Sequence, residues 1–167
     1  TLAGGTAALG CLFSYNSTTN IISQLYSFTT GANGYYPSGS LIQGLNGKLC
    51  GMTALGGSNS NGTIFSYDIS TSTFSKRYEF NSTTSGRYPR GKLIEHPSGL
   101  LYGLTQVGGT AVGGTLFSFD DNLLAFNVIH NFSTSLSTDG KNPYGSLLLA
   151  SNGLFYGLTQ GGTPYGI

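Results

Sequence analysis

The segment Gly86-Arg87-Tyr88-Pro89-Arg90-Gly91-Lys92 fits the first seven positions of a phosphate-binding loop. Backbone N–H groups would cradle phosphate there, with Lys92 against its charge. The next position is Leu93, which offers no hydroxyl to Mg²⁺, and a hairpin rather than a helix is expected to follow. A sister segment, Gly34-Tyr35-Tyr36-Pro37-Ser38-Gly39-Ser40, lacks the lysine altogether. Nucleotide binding is therefore not expected. His96 and His130 are too few and too far from other ligand types to predict a metal site. Asp139-Gly140-Lys141-Asn142 supplies oxygen donors, but calcium would need several more. The first carboxylate of Asp120-Asp121 is expected to order a turn. No Ser/His/Asp grouping stands out, so no catalytic, cofactor or metal residue is assigned and enzymatic activity is not expected.

Two further residue sets carry weaker chemistry. Tyr35, Tyr36, Tyr88 and Tyr144 fall in one equivalent loop of successive segments. Such rings could stack on sugars, pairing an apolar face with a hydroxyl handle; equally, they could cover the ends of sheets or an inter-chain seam. Four N-x-S/T sequons stand at Asn16, Asn61, Asn81 and Asn131. At this content of Asn, Ser and Thr chance alone gives about three, so N-glycosylation is permitted and not indicated. Cys11 and Cys50 could form one disulfide in an oxidising compartment. Two small apolar residues is the favoured reading, because Thr or Tyr holds the matching positions elsewhere.

The elements that position these residues repeat. Leu12-Phe13-Ser14-Tyr15 returns as Ile64-Phe65-Ser66-Tyr67 and Leu116-Phe117-Ser118-Phe119, at a spacing of 52 residues. Pro37-x-Gly39-x-Leu41 returns as Pro89-x-Gly91-x-Leu93 and, after a two-residue insertion, as Pro143-x-Gly145-x-Leu147. Gly51-Met52-Thr53, Gly103-Leu104-Thr105 and Gly157-Leu158-Thr159 form a third block. The 167 residues thus read as three copies of one unit and the start of a fourth. Each unit reads as four short strands rich in Phe, Tyr, Leu and Ile, with Gly- and Asn-bearing hairpin turns and no helical periodicity. The fold expected is all-β.

Composition agrees. Charged residues make up 8% and the net charge is +1, which excludes a helical bundle, a charge-driven disordered tail and a general electrostatic binder of nucleic acid. No apolar run is long enough to cross a membrane as a helix. Ser, Thr and Asn supply the polarity, as on a secreted or cell-surface β-protein.

Gly56-Gly57, then Phe65-Ser66-Tyr67-Asp68, then a polar turn leading to Phe74, resembles a kelch-type β-propeller repeat. Kelch units carry Trp where Ile22, Phe74 and Phe126 stand. Leu101-Tyr102-Gly103-Leu104-Thr105, Gly108-Gly109, Gly114-Thr115-Leu116-Phe117 and Asp139-Gly140-x-Asn142-Pro143-Tyr144-Gly145 are more closely similar to the GloVer-type tandem repeat of bacterial surface and secreted proteins. That resemblance spans the chain. It implies secretion and repetition, and no catalytic residues.

In blade phase, residues 39–80 and 91–132 are expected to form complete four-stranded antiparallel blades, 10–28 an outer half-blade and 145–159 an inner half-blade. A three-blade ring is too tight to close. The partners expected are flanking repeats of a longer chain, or other copies of this one joined head to tail through the half-blades. Two copies would close as a six-bladed ring, and a non-closing geometry would give a filament. The function expected is structural: extracellular or cell-surface assembly, adhesion or fibre building. The alternatives are a carbohydrate-binding propeller and a fragment of a larger propeller enzyme.

Overall fold

A computed structural model of the chain describes residues 4–135 and 139–162. Residues 1–3, 136–138 and 163–167 lie outside the described residues. Every described element is a strand. A two-stranded sheet of β1 (Cys11–Asn16) and β2 (Ile21–Ser27) comes first. A complete sheet follows, built from β3 (Tyr35–Pro37), β4 (Ile42–Gln43), β5 (Leu49–Leu55), β6 (Thr63–Asp68) and β7 (Thr73–Glu79). A second complete sheet repeats it as β8 (Arg87–Pro89), β9 (Ile94–Glu95), β10 (Leu101–Val107), β11 (Val112–Asp120) and β12 (Ala125–Ser133). Last come β13 (Lys141–Pro143), β14 (Leu148–Leu149), β15 (Phe155–Tyr156) and β16 (Thr159–Gly161).

All ladder pairings between these strands are antiparallel and no sheet closes into a barrel among the described residues, so the chain is an incomplete, propeller-like all-β repeat. In the first complete blade the strand order is β3/β4, β5, β6, β7, because β3 and β4 both pair with β5. One innermost strand is thus broken in two by Pro37-Ser38-Gly39-Ser40. Proline lacks the N–H that would continue the ladder. The sequence pattern alone marks only the second piece, since three residues are too few to show a period.

The outer hairpins share one turn. Asn16 Oδ1 accepts the amides of Thr18 and Thr19 at 2.9 and 3.1 Å. Asp68 Oδ1 does so for Ser70 and Thr71, and Asp120 Oδ1 for Asn122 and Leu123. The turn-ordering role expected of Asp120 is what its carboxylate does.

Blade packs on blade through aromatic rings. Tyr26 of β2 stacks on Phe74 of β7 at 3.8 Å and 5°, and one unit later Tyr78 stacks on Phe126 at 4.0 Å and 3°. Phe28 meets Phe65, and Phe80 meets Phe117, both edge-on at 5.4 Å. Each such pair adds about 0.5–1.5 kcal/mol beyond the area it buries. The slots of Ile22, Phe74 and Phe126 are therefore the receiving half of the seam. Ile22, the first of them, faces no preceding blade among the described residues and is 67% exposed.

The central core joins Cys50, Met52, Ile64, Phe80, Leu93, Leu101, Phe117 and Phe119. Cys50 and Cys11 are not bonded to each other. Burial first, then the Asp121 and Glu95 charges, push the Cys50 thiol up to about 12. Between its ordinary value and that one, the folded chain keeps the proton and the unfolded chain releases it. Stability present below about pH 9 is therefore lost as pH rises toward the folded value, by up to about 1.4 kcal/mol per unit. Urea titrations across that range should fall more steeply for the native chain than for Cys50→Ala. Equal slopes would place the thiol in water.

Candidate functional site

Residues within and just after three inner strands, β3, β8 and β13, line a concave space of about 790 Å³. Tyr36 of β3, Tyr88 of β8 and Tyr144, which directly follows β13, all line it, together with Arg90 and Ser38. The backbone of this funnel is tied from blade to blade. The Tyr36 amide donates to Leu9 O at 3.0 Å and the Tyr88 amide to Asn61 O at 3.1 Å. Ser38 Oγ donates to Pro89 O at 2.7 Å. Arg90 Nε donates to Gln106 Oε1 at 2.7 Å, and its guanidinium carbon lies 5.8 Å from the centre of the Tyr144 ring.

Tyr36 and Tyr88 occupy the same slot of successive units, with φ of 54° and 57°. That left-handed conformation costs a side-chain-bearing residue roughly 1–2 kcal/mol. The third unit puts Asn142 there, at φ 52°, and asparagine tolerates this region far better than tyrosine.

The expected placement of the four tyrosines in one equivalent loop needs correction. Tyr35, Tyr36 and Tyr88 lie within strands, because the innermost strand starts earlier than the repeat pattern indicates. Their slots also differ: Tyr144 aligns with Ser38 and Arg90, and Tyr35 with Arg87 and Lys141. Tyr36, Tyr88 and Tyr144 converge, while Tyr35 is outside the lining and edge-on to Tyr36 at 5.2 Å. Arg90 is the functional candidate that sequence reasoning passed over as part of a false phosphate loop. The signal was its slot, which carries Ser, Arg and Tyr in the three units.

The other candidates are spread out. Asn16 is exposed, and Asn61, Asn81 and Asn131 are half-buried. Asn81 Oδ1 accepts from Thr83 and Asn131 Oδ1 from the Thr110 amide. His96 Nδ1 accepts the Ser98 amide at 3.1 Å inside its own turn. His130 contacts Asp139 through Nε2, in the place where Asn33 Nδ2 donates to the Tyr26 hydroxyl two units earlier. Among the described residues no three His, Cys, Asp or Glu side chains come together.

The second feature is an open edge. β1 is the counterpart of β6, yet no inner strand pairs with it among the described residues. A groove of about 360 Å³ lies there, between Leu12, Phe13 and Phe28 on one side and Leu41, Met52 and Phe65 on the other. Leu41 is 38% exposed, whereas its counterparts Leu93 and Leu147, each with a preceding blade, are 0% and 7% exposed.

The family model described as the Gloeobacter/Verrucomicrobia repeat matches residues 1–167. No curated protein matches the chain.

Proposed function

We propose, for a chain that belongs to the Gloeobacter/Verrucomicrobia repeat family along its whole length, a non-enzymatic structural role outside the cell. In this reading the blades are kelch-like, and copies of the chain join head to tail through their open half-blades to build a surface assembly or fibre. The observation that carries it is the fit between the two open halves. Within the complete blade, β5 pairs with β6 as Leu49 to Tyr67, Gly51 to Phe65, Met52 to Ile64 and Thr53 to Thr63. The matching segments are 11–15 for β6 and 155–159 for β5. The same register sets Phe155 opposite Tyr15, Gly157 opposite Phe13, Leu158 opposite Leu12 and Thr159 opposite Cys11.

Side-chain shape supports this register. A Cβ at Gly51 would lie 2.7 Å from Cζ of Phe65, so the ring occupies the space that the glycine leaves. Gly157 leaves the same space for Phe13. Pairing would cover Phe13, Tyr15, Tyr156 and Leu158, which are 43%, 54%, 50% and 79% exposed. Apolar strand edges of this kind are templates for another chain. The low charge of the chain, 8% of its residues, suits such close sheet-to-sheet contact and an extracellular setting.

Sedimentation and electron microscopy test the proposal. The native chain is expected as a two-copy ring or as filaments. Leu158→Asp, at an exposed site, should return it to a folded monomer that unfolds cooperatively, its melting temperature lower only by the stabilisation that assembly had added. A native chain that stays monomeric at high concentration overturns head-to-tail assembly.

A further inference from the structure

We infer that the tyrosine funnel binds an acidic saccharide, a chain of sugars carrying uronate carboxylates. The backbone provides the first argument. The slot of Tyr36, Tyr88 and Asn142 is left-handed in all three units, so the conformation belongs to the fold and not to the side chain. Asparagine satisfies it in one unit. Tyrosine in the other two holds an aromatic ring over the cavity against backbone preference, and strain of that kind concentrates at functional sites. Rings needed only to cover a blade end could stand at unstrained positions, as Tyr35 does.

The lining gives the ligand class. Tyr36, Tyr88 and Tyr144 offer flat apolar faces for the C–H face of a pyranose and hydroxyls for its polar rim. Among the described residues, Arg90 is the one charged side chain in the lining, which includes no carboxylate. Its guanidinium is held by Gln106 and lies within reach of the Tyr144 ring face, so it is oriented before any ligand arrives. A planar fork of donors fits a carboxylate bidentately. The space of about 790 Å³ is in the range of small-molecule sites and exceeds what a single inorganic anion needs. A single positive charge is too little for a nucleic-acid strand, which requires a basic track. All these residues belong to one copy of the chain, so the site does not depend on head-to-tail pairing.

Calorimetric titration of the whole chain with tetragalacturonate and tetramannuronate, each also as its methyl ester, tests the inference. At least one free acid should bind, and esterification or Arg90→Gln should weaken it about tenfold or more. Tyr88→Asn, which installs the residue type of Asn142, should abolish binding while the melting temperature holds or rises. Three results would each overturn the site: no binding of either acid, binding indifferent to Arg90→Gln, or a Tyr88→Asn chain that melts lower or fails to fold. The last would make the ring a packing element.

Discussion

Replacing Gly86 with alanine is expected to lower the melting temperature by about 10 °C or more. Gly86 has φ +86°, and a Cβ there would lie 1.9 Å from Oγ1 and 2.9 Å from Cβ of Thr105, and 3.1 Å from Oγ1 of Thr115. Those threonines are fully buried and their hydroxyls meet at 2.9 Å. The Thr115 amide donates to Thr105 Oγ1 at 3.0 Å, and Thr115 Oγ1 to Ser85 O at 2.9 Å. A methyl group must displace this pair, leaving buried polar groups unpaired at about 1–3 kcal/mol each. Left-handed strain adds roughly 1–2 kcal/mol. Gly99→Ala is the control: its φ is +84° with nothing within 4 Å, so it carries the strain alone. Equal melting temperatures for the two variants would refute the threonine-pair account. Thr53 and Thr63 form the same pair one unit earlier, at 2.9 Å.

The second large effect concerns a charge clamp between blades. Arg77 Nε donates to Asp121 Oδ1 at 2.6 Å, and the guanidinium also reaches the Asp121 carbonyl. Asn46 Nδ2 donates to the other carboxylate oxygen at 3.2 Å, and the Asp121 side chain is 6% exposed. Arg77→Ala removes the principal partner of a buried carboxylate and should cost about 3 kcal/mol in chemical denaturation, at the low end of the range for buried pairs because Arg77 itself is partly exposed. Arg77→Leu combined with Asp121→Ile should recover most of that loss. Those are the residue types that the unit before places in the two slots, at Leu25 and Ile69. A double variant as unstable as the single one would show that the seam needs the ions themselves.

Legibility divides along the same line. The 52-residue spacing is visible before folding because short motifs recur letter for letter or nearly so, and the hairpin turns and the all-β class because each rests on residues a few positions apart. The Asp120 turn was legible for that reason: its acceptor serves Asn122 and Leu123, two and three residues on. Its neighbour Asp121 was not, since its partner is 44 residues away on another blade. The short strands β3 and β8 were hidden for a different reason. They carry too few residues to show alternation, and they pair only because β5 and β10 have room beside them.

The sequence by itself determined the repeating unit and its antiparallel strands. These follow from local backbone preference, repeated often enough to be read. Only the tertiary structure decided which slots meet. Stacking the blades brings Tyr36, Tyr88, Arg90 and Tyr144 around one cavity, sets Arg77 on Asp121, and leaves the β1 edge open among the described residues. Contacts between blades join different slots of neighbouring units. Their identity therefore depends on the rotation of one sheet over the next, a quantity no stretch of chain encodes locally.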